Sequence, residues 1–403
     1  MKKYLKQQNL LLIILILTTF FHLFRLNFPE AYVFDEVYHG FTAKEYLKGN
    51  IEAWEYWTSP PKGVAYEWTH PPLAKEMMAL SMSLVGSTNA WAWRLPGTFL
   101  GILSVFLIYL IGKKLFKSEV PSLISAFIFS IEGLNFVQSR IGMNDIYFVT
   151  FMLVSFLFFL RKNFLVSALF LGLSLASKWA AIYLIPIYII LIIKDRHFKQ
   201  IPYFLLLIPL IYLVSYIPFF ILGHSWDQFI ALQQQMWWYH TGLKATHDYA
   251  SRWWSWPLNL YPVWYYVNYD ADKIGNIFAS GNPLVFWSGA IAIILSIWEF
   301  IKKRTSYLFI ILLGYFAFWL PWAISPRIMF LYHFSPSVPF LSLALGYQLS
   351  KLNTKKDRRI LFIILGLLFL GFLLMYPFLT GISLPKDIMK LFFYTNITKN
   401  PFG

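Results

Sequence analysis

Apolar residues run along this chain in long stretches separated by short basic clusters, without the two-sided period of a soluble surface helix. About 17–25 apolar residues cross roughly 30 Å of hydrocarbon as a helix rising about 1.5 Å per residue. This criterion predicts spans at residues 9–28, 91–112, 120–139, 145–161, 201–222, 284–301, 306–324, 327–350 and 359–378. The stretch 163–194 would reach about 48 Å as one helix, too long for one crossing. Arg161 and Lys162 precede it, and Lys194, Arg196 and Lys199 follow it. Positive clusters stay cytoplasmic, so both ends lie on one side and the stretch is predicted to be a helical hairpin. Its short arms would place the tip, Lys178-Trp179, slightly inside the outer face.

The expectation is therefore an all-α polytopic membrane protein with eleven spans, forming one membrane domain over residues 1–403. Lys2, Lys3 and Lys6 place the N-terminus in the cytoplasm, and the turns 113–119, 161–162, 194–200, 302–305 and 351–358 then fall on that side, each short and basic. The N-terminal segment lacks a small-residue cleavage site and reads as a retained anchor. Segments 29–90 and 223–283 and the tail 379–403 are external. Within the first, residues 73–86 are apolar but too short to cross, as in an interfacial or re-entrant helix. No internal repeat is visible. Asn396-Ile397-Thr398 matches a glycosylation acceptor pattern that is common by chance.

Composition narrows the class. With 58% hydrophobic and 13% charged residues, the 403-residue chain is not a soluble protein, and 20% aromatic residues exclude a disordered one. The absence of cysteine excludes disulfides, thiolate metal sites and a cysteine nucleophile. A net charge of +15 would suggest a polyanionic partner in a soluble protein. Here the whole excess falls on the predicted cytoplasmic side and the outer side balances, so nucleic acid is not needed to explain it.

Candidate chemistry lies in the external segments. Asp35-Glu36 reads either as a helix N-cap or as a general base at the membrane surface, where a raised carboxyl pKa suits proton abstraction from a hydroxyl. His70, held before Pro71-Pro72, reads as a structural histidine or as one that binds an acceptor or a metal. Glu132, Arg140 and Asp145 are charges at or near membrane depth, which need a partner or a task. Arg140 and Lys178 suit a lipid phosphate, or else they snorkel to headgroups. The stretch from His240 through His247 and Arg252 to Trp256-Pro257 is either an interfacial aromatic belt or a surface for sugar rings. His240 and His247, seven apart, could share a helix face, leaving a divalent metal as a weak possibility. Arg327, Tyr332 and His333 open the span at 327–350, where Pro336 should kink the helix and free a carbonyl near Tyr332.

In this order the clusters resemble the protein O-mannosyltransferase family, lipid-carrier-dependent glycosyltransferases of the GT-C fold. The matching elements are Phe34-Asp35-Glu36, His70-Pro71-Pro72-Leu73, Ser139-Arg140 with Asp145, Ser177-Lys178-Trp179, His247 through Pro257, and Arg327 through His333. Eleven spans with an internal N-terminus agree with that family. The resemblance implies transfer of mannose, with inversion, from a polyprenyl-phosphate carrier to Ser or Thr hydroxyls of an acceptor protein outside the membrane. It implies Asp35 as base with Glu36 in support, Arg140, Lys178 and Arg327 on the donor phosphate, and His70, Asp145, His247, Trp256, Tyr332 and His333 as substrate-binding. A phosphate leaves without a proton donor, so one carboxylate suffices where a glycosidase needs two. The chain has no room for the folded module that eukaryotic members insert at 223–283 and resembles compact prokaryotic members of a plasma membrane. It also reads His247-Asp248-Tyr249 where the family often has His-Pro-Tyr.

A related GT-C enzyme that moves aminoarabinose or another sugar to a glycolipid would share the fold and the acidic residue. A transporter should show two halves with matching broken helices, and none is found. A scaffold role leaves the polar residues at membrane depth unexplained.

Overall fold

A computed structural model describes residues 2–389, mostly as helices. The Asn396-Ile397-Thr398 triplet lies outside the described residues. Four helices are long and apolar enough to cross a membrane: Ala90–Phe116, Pro283–Lys303, Ser306–Ile324 and Arg358–Thr380. Glu119–Ser130 and Gly133–Arg140 form a fifth candidate bent by 57°. Shorter apolar helices cover Asp145–Leu160, Phe164–Ser177 and Ile201–Val214. Large aliphatic side chains point outward on these helices, including Leu206 and Ile294, each at 66% exposure. Such surface is stable only against hydrocarbon, so the chain is an integral membrane protein.

The chain divides into two compact units. One comprises residues 26–100 and 139–244. In it the predicted hairpin takes the form of a Phe164–Ser177 helix, a break at Lys178 in extended conformation, a 3₁₀ turn Trp179–Tyr183 and a helix Leu184–Lys194. Its two ends meet: Lys162 Nζ lies 3.4 Å from His197 Nε2, and the His197 ring packs on Phe164. The short apolar segment of the first external loop is a helix, Leu73–Val85, closed by Gly86 at φ +62°, a conformation glycine adopts without Cβ strain. Its Ala74, Met78, Ala79 and Met82 face a core with Ala43, Trp93 and Tyr147.

The other unit comprises residues 1–25, 101–138 and 245–403. Here the expectation of an all-α chain is corrected. Val263–Asp270 and Lys273–Ala279 form an antiparallel hairpin with a bulge at Trp264/Tyr266, and Leu384–Pro385 adds a short third strand. The β-branched and aromatic run Val263-Trp264-Tyr265-Tyr266-Val267 carries the strand signal, which the reading of 223–283 as loop passed over. Glu132 sits at the bend after Ser130, where its carboxylate accepts the Leu134 and Asn135 N–H groups at 2.9 and 2.5 Å. The buried charge at span depth thus caps the second half of a broken helix. The segment from 331 starts as a 3₁₀ helix, Leu331–Ser337, before the α-helix Val338–Ser350. The carbonyl expected to be freed near Tyr332 accepts the Ser335 hydroxyl at 2.7 Å.

Candidate active site

The turn that carries Asp35 is fixed by its neighbour. Glu36 is fully buried and accepts five hydrogen bonds: from Trp93 Nε1, Gly142 N and Val33 N, each at 2.8 Å, and from Arg94 Nε and Nη2 at 2.7 and 2.6 Å. The Arg94 fork also donates to the carbonyls of Leu26, Pro29 and Ala31, so one buried ion pair gathers the whole entry to the 3₁₀ turn Phe34–Val37. Phe34 is held at φ +48°, a strained conformation of about 1–3 kcal/mol that persists because the surrounding bonds impose it. Gly142 packs tightly here: a Cβ would lie 3.2 Å from the Trp93 ring and 3.4 Å from Glu36.

Asp35 is left for chemistry. Burial pushes its carboxyl up to about 7, Glu67 and Asp145 push it the same way, and Lys178 opposes them. Lys178, at the break of the hairpin, is clamped by both Asp145 oxygens at 2.8 and 3.0 Å. Asp145 opens the helix Asp145–Leu160, so the lysine's position follows from where two helices meet. In this structure Asp145 is the partner of Lys178. Arg140, buried, ends the helix Gly133–Arg140 two residues before Gly142, which Glu36 binds.

His70 lies in a turn built by its neighbours. Glu67 accepts the His70 N–H at 2.9 Å and the Thr69 hydroxyl at 2.5 Å, and the fully buried Lys75 donates to the His70 carbonyl at 2.8 Å. The His70 ring stands 6.1 Å from that of His39 and 5.0 Å from that of His240. His240 Nε2 lies 2.8 Å from the Thr69 carbonyl, which fixes Nε2 as the donor. Burial, Lys178 and Lys75 hold His39 and His70 well below the usual imidazole pKa, and His240 lowers His70 further. Burial also lowers Lys75 to about 8 and raises Glu76 to about 8. Near neutral pH, His39 and His70 are therefore uncharged.

In the other unit, His247, Trp256, Tyr332 and His333 come together around Phe330 and Trp322. The His247 ring packs edge-on to Phe330 at 5.2 Å, and Ser251 N donates to the Met329 carbonyl at 2.8 Å. His333 Nδ1 accepts the Phe330 N–H at 3.0 Å, and its ring lies 4.3 Å from Trp322 and 4.7 Å from Tyr332. Trp256 is 0% exposed, donates to Ser251 Oγ at 2.9 Å and stacks on His333. The Trp256 indole face is closed to a sugar, so its task is to hold this cluster. Arg327 lies in the irregular segment between the 3₁₀ helices Leu320–Ile324 and Leu331–Ser337.

Sequence reasoning missed Glu67, Lys75, Arg94, His39 and the contact of His240 with Thr69. Each signal was present as a single charged or imidazole side chain; the partners of Arg94, His39 and His240 lie tens of residues away, while Glu67 and Lys75 bond within their own turn. Among the described residues, no three His, Asp or Glu side chains are placed to share a metal ion, and none is assigned to one.

Two family models match the chain: "Dolichyl-phosphate-mannose-protein mannosyltransferase" over residues 69–221 and "C-terminal four TMM region of protein-O-mannosyltransferase" over 225–394. A polyprenol-phosphate-mannose–protein mannosyltransferase of Mycobacterium tuberculosis is 24% identical over 95% of this chain and 90% of its own length. The Saccharomyces cerevisiae protein O-mannosyltransferase Pmt1-Pmt2 complex bound to the sugar donor superposes with a TM-score of 0.77, at 15% identity, over 93% of this chain and 90% of that one. ArnT from Cupriavidus metallidurans bound to undecaprenyl phosphate gives a TM-score of 0.61 at 14% identity, covering 88% of this chain and 62% of that one.

Proposed function

The chain belongs to the protein O-mannosyltransferase family, and on that premise we propose that it moves mannose from a polyprenyl-phosphate carrier to Ser or Thr hydroxyls of proteins, with inversion. It is a glycosyltransferase with a lipid-linked donor and a protein acceptor. The observation that carries the mechanism is a carboxyl tuned to about 7, Asp35, under the charge of a clamped cation, Lys178.

Asp35 takes the proton of the acceptor hydroxyl as its oxygen attacks the anomeric carbon. The bond from that carbon to the phosphate oxygen breaks on the opposite face, and the electron pair leaves with the lipid phosphate. Lys178 and Arg140 stabilise the phosphate charge as it develops. Preset cations need little reorganisation at that moment, and the Asp145 clamp supplies this for Lys178. Glu36 supports Asp35 by fixing its turn. His70 binds substrate in the unit that carries Asp35; within the other unit, His247, Tyr332 and His333, held by Trp256, are substrate-binding residues by the same resemblance. Eleven spans, a cytoplasmic N-terminus, an external C-terminus and a site facing the outside of a prokaryotic plasma membrane complete the reading.

The test supplies radiolabelled polyprenyl-phosphate mannose to the purified full chain in lipid nanodiscs, with a Thr-containing peptide and a glycolipid as competing acceptors. Label on the peptide threonine is the expected result. Label on the glycolipid alone would replace this reading with a glycolipid-directed sugar transferase.

A further inference from the structure

Lys178 stands where the hairpin interrupts its helices. The helix Phe164–Ser177 ends before it, its own backbone is extended at φ −158° and ψ 133°, and the 3₁₀ turn Trp179–Tyr183 begins after it. Asp145 clamps the ammonium, but a long, rotamer-rich lysine side chain can reach one clamp from several backbone positions. The backbone is fixed through the next residue. Trp179 Nε1 donates to the Tyr212 hydroxyl at 2.9 Å, and that hydroxyl donates to Gln233 Oε1 at 2.6 Å. Tyr212 lies on the helix Ile201–Val214 and Gln233 on the helix Trp226–Gly242. The Trp179 ring also packs on His240 of that second helix at 5.6 Å, and His240 is tied to the Thr69 carbonyl at 2.8 Å.

The chemistry gives this chain of bonds one direction. An indole nitrogen only donates, so Tyr212 accepts from it and directs its own single proton to Gln233. The surroundings are apolar: Trp179 and Tyr212 pack against a core that includes Phe219, Phe229, Leu232 and Met236. In such surroundings hydrogen bonds in series strengthen one another, and a broken link leaves its neighbours unsatisfied. Packing alone would be served by Phe at 212 and an aliphatic side chain at 233, whereas a directed polar chain specifies one arrangement. Extended backbone sends successive side chains to opposite sides. Fixing the Trp179 indole therefore sets the direction in which Lys178 leaves the chain.

We propose that Trp179, Tyr212 and Gln233 are positioning residues for the donor phosphate, a hydrogen-bonded latch that sets the backbone from which Lys178 reaches it. The inference rests on the lipid-phosphate-mannose reading and adds to it the side chains that aim the cation. Asp145 holds the ammonium and the latch holds the backbone, so the positive charge is in place before the phosphate departs.

The experiment uses the full chain in nanodiscs. It measures kcat, KM for polyprenyl-phosphate mannose, KM for the Thr peptide, and inhibition by sugar-free polyprenyl phosphate. Tyr212→Phe keeps the ring and removes the link. It should raise the donor KM and weaken the inhibition by about 3–10-fold, the range of one hydrogen bond, with the peptide KM unchanged. Trp179→Phe should act on the same two quantities. A double-mutant cycle separates positioning from general loosening. With Lys178→Gln in place the latch has no cation to aim, so adding Tyr212→Phe should weaken the inhibition no further. If Tyr212→Phe does not fold, Gln233→Met, close in volume but lacking the amide, is read in its place. An unchanged donor KM, a peptide KM that rises equally, or a full-sized Tyr212→Phe effect in the Lys178→Gln background would each overturn the proposal. A wild type that transfers no mannose would instead sink the functional reading before any variant is made.

Discussion

Asp35 and Glu36 are adjacent, yet the fold gives them opposite environments. Glu36 accepts five hydrogen bonds, two of them from the Arg94 guanidinium, whereas Asp35 meets burial and two further carboxylates. Glu36 is therefore a structural anchor held by its partners, and Asp35 a carboxyl that takes up protons near neutral pH. Removing one partner of a buried ion pair leaves the other charge uncompensated, at a cost of about 3–5 kcal/mol. Glu36→Gln should accordingly lower the thermal unfolding temperature of the detergent-solubilised protein by several degrees, and an unchanged melting curve would contradict the pinning role. That Asp35 and Glu36 do different work was legible in their adjacency, because neighbouring side chains point to different faces. Arg94, 58 positions along the chain, was not legible as the partner, nor was the company of His39 and His70. Nothing local in those segments specifies which distant side chain arrives.

At the scale of elements, the features set by local physics were legible. Residues 73–86 formed the expected short helix, ending at Val85 with Gly86 as its cap. The length and flanking charges of 163–194 gave a hairpin broken at Lys178, with ends that meet at Lys162 and His197. What failed was arbitration between weak signals. The run 263–267 is aromatic and β-branched, as strands often are, but lay within a segment taken for loop. Glu132 read as a charge at membrane depth that needs a partner or a task, and backbone N–H groups freed by a break are that partner.

For the whole molecule, the net +15 becomes an orientation signal if the inner turns carry it. The chain has no cysteine, so single substitutions report topology without background. Ser59→Cys in the first external segment should react with a membrane-impermeant maleimide on intact cells, and Lys355→Cys only after permeabilisation. The reverse pattern would invert the topology. The central claim is that Asp35 is the base for mannose transfer, and it is tested most directly by kcat/KM against pH for wild type and Asp35→Asn with polyprenyl-phosphate mannose and a Thr peptide. The carboxyl must be ionised to accept a proton, so wild-type kcat/KM should rise with pH through about 7 and then level. Asp35→Asn should be at least about 10²-fold slower at every pH while eluting as a folded protein. Wild-type rates in that variant, or a wild-type profile flat between pH 5 and 9, would contradict the account.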